Sequence, residues 1–238
     1  MLKNLLLFHF LFVNLQLKPK LYTTMKKTVI SILLCAAFVM SAQAQKRTVE
    51  SIRQTYAEVH EWISHMMPND EGETGMPPEY FELKVMQNLP GTGPHHEVIR
   101  MFYGEEETED GVIYPPHYLR FVTAKYNFAA REFYEEYLYD EKGRVMFIYA
   151  ITPDADPNMT PCELRMWFDG KRLLRFSVKK YEGPKGYLDI ASLRKGTFKE
   201  VYSGTDIPEM YKEEATHCKD RALRFLEMFK GIDRNTYL

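Results

Sequence analysis

Apolar and polar residues alternate along most of the middle of this chain and give way to a helical period towards each end. Tyr80–Gln87 sets Phe81, Leu83 and Val85 against Tyr80, Glu82 and Lys84, the period of two that marks a strand. His95–Tyr103, Leu119–Phe128, Phe133–Tyr139, Arg144–Ile151, Glu163–Phe168 and Arg172–Lys179 carry strand-like patterns, with a further short one at Thr197–Tyr202. Before them, Ile52, Tyr56, Val59, Ile63 and Met66 recur at helical spacing over Thr48–Met67, with Thr48 as N-cap and Pro68 as stop. After them, Tyr211, Ala215, Cys218, Ala222, Phe225 and Phe229 form one stripe of a second helix. Asp206, Pro208 and Glu209 mark its start and Gly231 its end.

Two hairpins dominate the strand region. Asp140-Glu141-Lys142-Gly143 is a turn in which Gly143 suits the left-handed closing position. It pairs Tyr139 with Val145, Tyr137 with Phe147 and Glu135 with Tyr149. One face would then carry Phe133, Tyr137, Tyr139, Val145, Phe147, Tyr149 and Ile151, and the other Tyr134, Leu138, Met146 and Ile148 with Glu132 and Glu136. At Asp169-Gly170-Lys171 a three-residue loop puts Leu164, Met166 and Phe168 on one face with Leu174, Phe176 and Val178. Glu163, Arg165, Trp167, Leu173, Arg175, Ser177 and Lys179 are left on the outer face, because a one-residue slip would invert every side chain. The expected fold is α+β: a single antiparallel sheet of about six or seven strands with an N-terminal and a C-terminal amphipathic helix packed on it.

The first 44 residues stand outside that pattern. From Met25 the chain runs Met-Lys-Lys, then an apolar stretch from Val29 to Met40, then Ala42-Gln43-Ala44, the three parts of a secretory signal cleaved after Ala44. The apolar stretch is too short for a bilayer, which needs about 20 residues. Leu34 before Cys35 does not fit a lipoprotein site. Residues 1–24 are either a mis-assigned start or a long basic n-region, 25–44 are the signal peptide, and 45–238 form one domain. Export implies the periplasm or exterior of a Gram-negative bacterium, with no transmembrane segment after cleavage. The five lysines lost with the leader leave 26 basic against 33 acidic residues, a balance of −7. That acidity, without a basic stripe, argues against nucleic acid as a partner. Cys162 and Cys218 would remain, either as a disulfide or as two buried small hydrophobes.

Catalytic and metal motifs are missing, so neither a cofactor nor a metal is expected. Asp154, Asp156 and Asn158 begin like a calcium loop, but Met159 and Arg165 occupy the positions that need Gly and a bidentate Glu. His95 and His96 point to opposite faces of a strand. There is no nucleophile elbow, and Glu132, Glu135 and Glu136 look like a wet strand border. The remaining excess is aromatic. Trp167, Tyr137, Tyr139, Phe147 and Tyr149 form either a platform for a protein, peptide or carbohydrate, or cross-strand packing under a helix.

Ser51-Ile52-Arg53-Gln54-Thr55-Tyr56-Ala57, Leu89-Pro90-Gly91-Thr92-Gly93-Pro94 and Lys125-Tyr126-Asn127-Phe128-Ala129-Ala130-Arg131 together resemble an exported protein family of gut anaerobes with no assigned activity. The resemblance implies export and one domain, and brings no catalytic residues. The functional expectation is an exported binding or accessory module. The alternatives are a hydrolase with dispersed carboxylate and His residues, and an inhibitor-like or structural partner protein.

Overall fold

The alternating segments pair in the order in which they occur. A computed structural model describes residues 46–66, 79–106, 108, 115–153, 160–184 and 188–236 of the chain. Helix α1 (Val49–Met66) comes first. Strands β1 (Tyr80–Leu89), β2 (Gly93–Glu105), β3 (His117–Phe128), β4 (Arg131–Tyr139), β5 (Val145–Thr152), β6 (Cys162–Asp169) and β7 (Arg172–Tyr181) follow. A short helix α2 (Ile190–Arg194), strand β8 (Phe198–Gly204) and helix α3 (Lys212–Thr236) complete the order. The sheet is antiparallel and has eight strands in sequential order, one or two more than expected, because both β1 and the short β8 pair at its edges. The signal-like segment and the calcium-like loop lie outside the described residues. Among the described residues, no helix is long and apolar enough to cross a membrane.

Local chemistry sets the helix ends. Thr48 Oγ1 accepts the Ser51 backbone N–H at 3.1 Å, and Ser51 Oγ accepts that of Thr48 at 3.1 Å, a reciprocal capping box at the expected start of α1. At α3 the expectation fails twice. Asp206 does not cap the helix, since its Oδ1 accepts the Tyr202 hydroxyl at 2.7 Å and a 3-10 turn at Glu209–Tyr211 leads in. Gly231 does not end it either, and the helix runs to Thr236. The apolar stripe of this segment is buried throughout, from Tyr211 to Phe229.

Each face of the sheet meets a different helix. Ile52 and Val59 of α1 pack with Phe102, Phe121, Leu138, Phe147 and Trp167. Ala215, Cys218, Ala222, Phe225 and Phe229 of α3 pack in one cluster with Met101, Tyr137, Ile148, Leu164 and Phe176. On the α1 face, Phe102, Phe121, Leu138, Phe147, Trp167 and Arg175 are successive cross-strand partners, one row spanning six strands.

Immediately beyond that row, β3, β5 and β7 each hold one residue that the ladder skips: Arg120, Met146 and Leu174. These are β-bulges, and each shifts which side chains share a face. The bulge at Met146 corrects the first hairpin. Tyr139 pairs with Val145 as expected, but Tyr137 then meets Ile148, Leu138 meets Phe147, and Glu136 meets Tyr149. Tyr137 and Tyr139 therefore lie on the α3 face, while Phe147 packs on the α1 face. In the second hairpin the turn is Gly170-Lys171, not the expected three-residue loop, since Asp169 pairs with Arg172; Leu164 and Met166 still share a face with Phe176 and Val178 as expected. The bulge exchanges the two leucines, so that Leu173 packs with the α3-side core and Leu174 with the α1-side core.

Candidate functional site

The same bulge row shapes a cavity at the α1 side of the sheet. Arg120 and Met146 line it, with Arg47 and Thr55 from in and before α1, and Lys142 and Arg144 from the β4–β5 turn. Its volume is about 340 Å³, within the size range of small-ligand pockets. The turn that forms its floor is closed by Gly143, whose φ of +70° is the left-handed conformation expected there.

Asp140 organises the cations. Its side chain is 10% exposed, and Oδ2 accepts Arg144 Nε at 2.7 Å and also Nη2 of Arg47. Its Oδ1 accepts the backbone N–H groups of Lys142 at 3.0 Å and Arg144 at 2.7 Å. Burial alone would raise its pKa, but the Arg47 and Arg144 donors outweigh that and hold the carboxyl below its ordinary range. Donors are left over. Nη1 of Arg47 is buried with no hydrogen-bond partner. Arg120 lies over the Trp62 ring at 4.7 Å and has no carboxylate partner among the described residues. The ammonium of Lys142 likewise has none there. Among the described residues the cavity wall carries four cations and two carboxylates, Asp140 and Glu141, a net charge of +2.

The two adjacent glutamates of β4 are a contrasting case. They are not a wet border: Glu135 is 1% and Glu136 2% exposed. Glu135 faces α3 and accepts hydrogen bonds from Tyr126 at 2.8 Å, Tyr137 at 2.6 Å and Arg221 Nε at 2.7 Å. Arg221 also reaches Glu97 at 2.7 Å. Glu136 faces α1 and accepts the hydroxyls of Tyr134 at 2.7 Å and of Tyr56. His60 Nε2 is 3.3 Å from Glu136, close enough for charge pairing but not aligned as a hydrogen bond. Burial opposes the Glu136 charge, and the contacts with His60, Tyr56 and Tyr134 still hold its carboxyl below the ordinary range. Burial, and then the Glu136 charge, push the Tyr56 phenol up. Both carboxylates are saturated with donors, which is how buried charge is made tolerable.

The residues singled out for ligand binding do not form an exposed platform. Trp167 is 3% exposed, and Tyr137, Tyr139 and Phe147 are buried as well. Tyr139 donates to the Ala222 carbonyl at 2.7 Å and Tyr149 to Glu163 at 2.9 Å. Trp167 packs on Phe147 at 5.1 Å, with the Arg53 and Arg175 guanidiniums over its ring at 5.5 and 5.6 Å. Cross-strand packing therefore explains this set. Cys162 and Cys218 are both buried and no disulfide joins them; the Cys162 thiol donates to the Thr160 carbonyl at 3.2 Å. His95 Nδ1 lies 2.5 Å from the Asn127 carbonyl, and no group of three metal-ligating side chains occurs among the described residues.

The sequence reading passed over Arg47 and Arg120 and treated Asp140 and Lys142 only as turn residues. Asp140 and Lys142 share a positional signal, charged residues beside the Gly143 turn, whereas Arg47 ahead of α1 and Arg120 within β3 share none. The bulge that aims Arg120 has no local signature. The chain matches no family profile, no curated protein and no solved structure.

Proposed function

We propose that this is an exported binding module that takes a small anionic ligand in the Arg47–Arg120–Lys142–Arg144 cavity. The observation that carries the reading is the surplus of donors among the described residues: one buried guanidinium nitrogen without a partner and two cations without a carboxylate, all on residues that line one concavity. Buried donors without acceptors are costly, and arginine is the residue suited to planar or branched oxyanions. The leader-like segment over 25–44 and the resemblance to an exported family of gut anaerobes support secretion or a periplasmic location.

A thermal-shift series on the purified protein, with small organic anions at low ionic strength, tests the binding. The midpoint should rise with anions, stay unmoved with neutral analogues, and lose the response in Arg120→Gln. An equal response to neutral analogues, or an undiminished one in the variant, would refute the assignment. Cell fractionation with mass spectrometry tests the export; the expected mature chain starts at Gln45, and an intact cytosolic chain would be evidence against it.

An acid–base enzyme is the second reading, favoured by one feature. His60 keeps 39% of its side chain exposed while Nε2 faces the buried Glu136 carboxylate. The saturation of that carboxylate by two tyrosines weighs for a structural role.

A further inference from the structure

We infer that the cavity recognises a compact dianion, a phosphate monoester carried on a small body; this rests on the anion-binding reading above. Three observations converge on it.

Charge comes first. Asp140 is shared between Arg47 and Arg144, and among the described residues Glu141 is the only other acid on the wall. The uncancelled charge among the described residues is therefore +2. A carboxylate or sulfate monoester would neutralise half of it. A phosphate monoester carries a charge near −2 above its second pKa of about 6.

Geometry comes second. The cations arrive from three separate places: Arg47 ahead of α1, Arg120 from the β3 bulge, and Lys142 with Arg144 from the β4–β5 turn. A planar carboxylate is satisfied by one in-plane fork. Three oxygens on a tetrahedral centre can meet three cations approaching from different sides. The backbone does not compete, because the N–H groups of Lys142 and Arg144 are both taken by Asp140. The turn offers those two amides to no incoming anion, so side chains must do the recognising.

Space comes third. At about 340 Å³ the cavity has room for roughly ten waters, taking about 30 Å³ for each. A bare phosphate would leave most of it empty. Thr55, Tyr118 and Met146 on the wall supply two hydroxyl-bearing surfaces and one apolar one for an attached body.

Calorimetry on the purified protein with matched probes tests this. The probes are glucose 6-phosphate, glucose 6-sulfate, glucuronate, glycerol 3-phosphate and inorganic phosphate, each at pH 7.5 and pH 5.5. Glucose 6-sulfate has the shape of the phosphate ester with one charge fewer. At least one phosphate ester should bind about tenfold or more tightly than the sulfate and the glucuronate, the scale of one charge-assisted hydrogen bond. That advantage should shrink at pH 5.5. Among the described residues the charged groups lining the cavity are Arg47, Arg120, Lys142, Arg144, Asp140 and Glu141; Tyr118 and Tyr139 also line it, the Tyr139 hydroxyl being taken by the Ala222 carbonyl, and no histidine does, so the shrinkage follows the ligand's own protonation. Lys142→Gln, an exposed turn substitution, should weaken the ester about tenfold and leave the circular-dichroism spectrum unchanged.

Sulfate or glucuronate binding within threefold of the phosphate esters would overturn the dianion inference while leaving an anion site in place. Inorganic phosphate binding as tightly as every ester would overturn the attached body. Binding by none of the probes, or full affinity in a folded Lys142→Gln and Arg120→Gln double variant, would overturn both this inference and the anion-binding reading beneath it.

Discussion

Replacing Trp167 by alanine measures how much the row of cross-strand partners contributes. The side chain is 3% exposed and belongs to the cluster that α1 covers. A buried tryptophan accounts for about 150–250 Å² of surface, and emptying such a site costs about 3–5 kcal/mol. Two features of this site favour the lower end. Arg53 and Arg175, 5.5 and 5.6 Å from the ring, are long and flexible, so their stems can settle part of the way into the void. Phe147 at 5.1 Å and Phe121 further along the row belong to a packed sheet and will not follow. We therefore expect a loss of about 3 kcal/mol, or a melting point lower by about 6–12 °C for a domain of this size. Urea unfolding followed by far-ultraviolet circular dichroism gives the number, with an unchanged slope confirming that the denatured state is the same. A loss under about 1 kcal/mol would mean that Trp167 is exposed in solution. The packing of α1 over β6 would then be wrong, and the aromatic-platform reading would return.

Two further substitutions probe backbone and charge. Gly143→Ala should cost about 1–2 kcal/mol, because an L side chain at φ +70° is disfavoured and its Cβ would stand 3.1 Å from Leu226; an unchanged unfolding midpoint would show that the turn has another conformation. For Glu136→Gln we expect a loss of about 2 kcal/mol at pH 7 that shrinks on acidification. The folded carboxyl has a depressed pKa, so its contribution is complete above the unfolded value of about 4.3 and disappears as the pH falls through the lower folded value. Stability curves of the two proteins that stay parallel from pH 6 to pH 3 would contradict this.

Much of the fold was legible because strand and helix periods depend on neighbours only a few positions away. All eight strand segments carried a pattern, and the stripe from Tyr211 to Phe229 marked the buried face of α3 correctly. What failed was parity. One extra residue, Met146, separates Phe147 from Tyr137 and splits an apparent aromatic face in two, and alternation alone cannot signal an insertion that the partner strand does not share. The second hairpin kept the facing of Leu164 and Met166 although its loop is one residue shorter than expected, because the bulge at Leu174 restores the parity that the shorter turn reverses. Glu135 and Glu136 misled for a different reason. Two adjacent acids resemble a solvated border unless their partners are known, and the partners supplied by the helices lie far along the chain: Arg221 is 86 positions from Glu135, and Tyr56 is 80 from Glu136. Cys162 and Cys218 come near the same core without facing each other as a disulfide, which their spacing in sequence could not decide.

Charge that is matched and charge that is left over separate architecture from function here. Around Glu135 and Glu136 every oxygen finds a tyrosine, arginine or histidine, and the result is two anchors for helices on opposite faces of one strand. Around Asp140 a single carboxylate serves two guanidiniums, while Arg120 and Lys142 have no acid partner among the described residues. The chain as a whole is acidic, at −2, so the cavity concentrates positive charge against the sign of its surroundings. An approaching anion meets weak repulsion from the molecule and attraction only near the wall, within the screening length of about 8 Å at physiological salt. Attraction confined to that range acts on the bound state more than on the encounter. Added salt should therefore raise the dissociation rate of a bound anion more than it lowers the association rate, the reverse of what a basic, long-range steering surface produces.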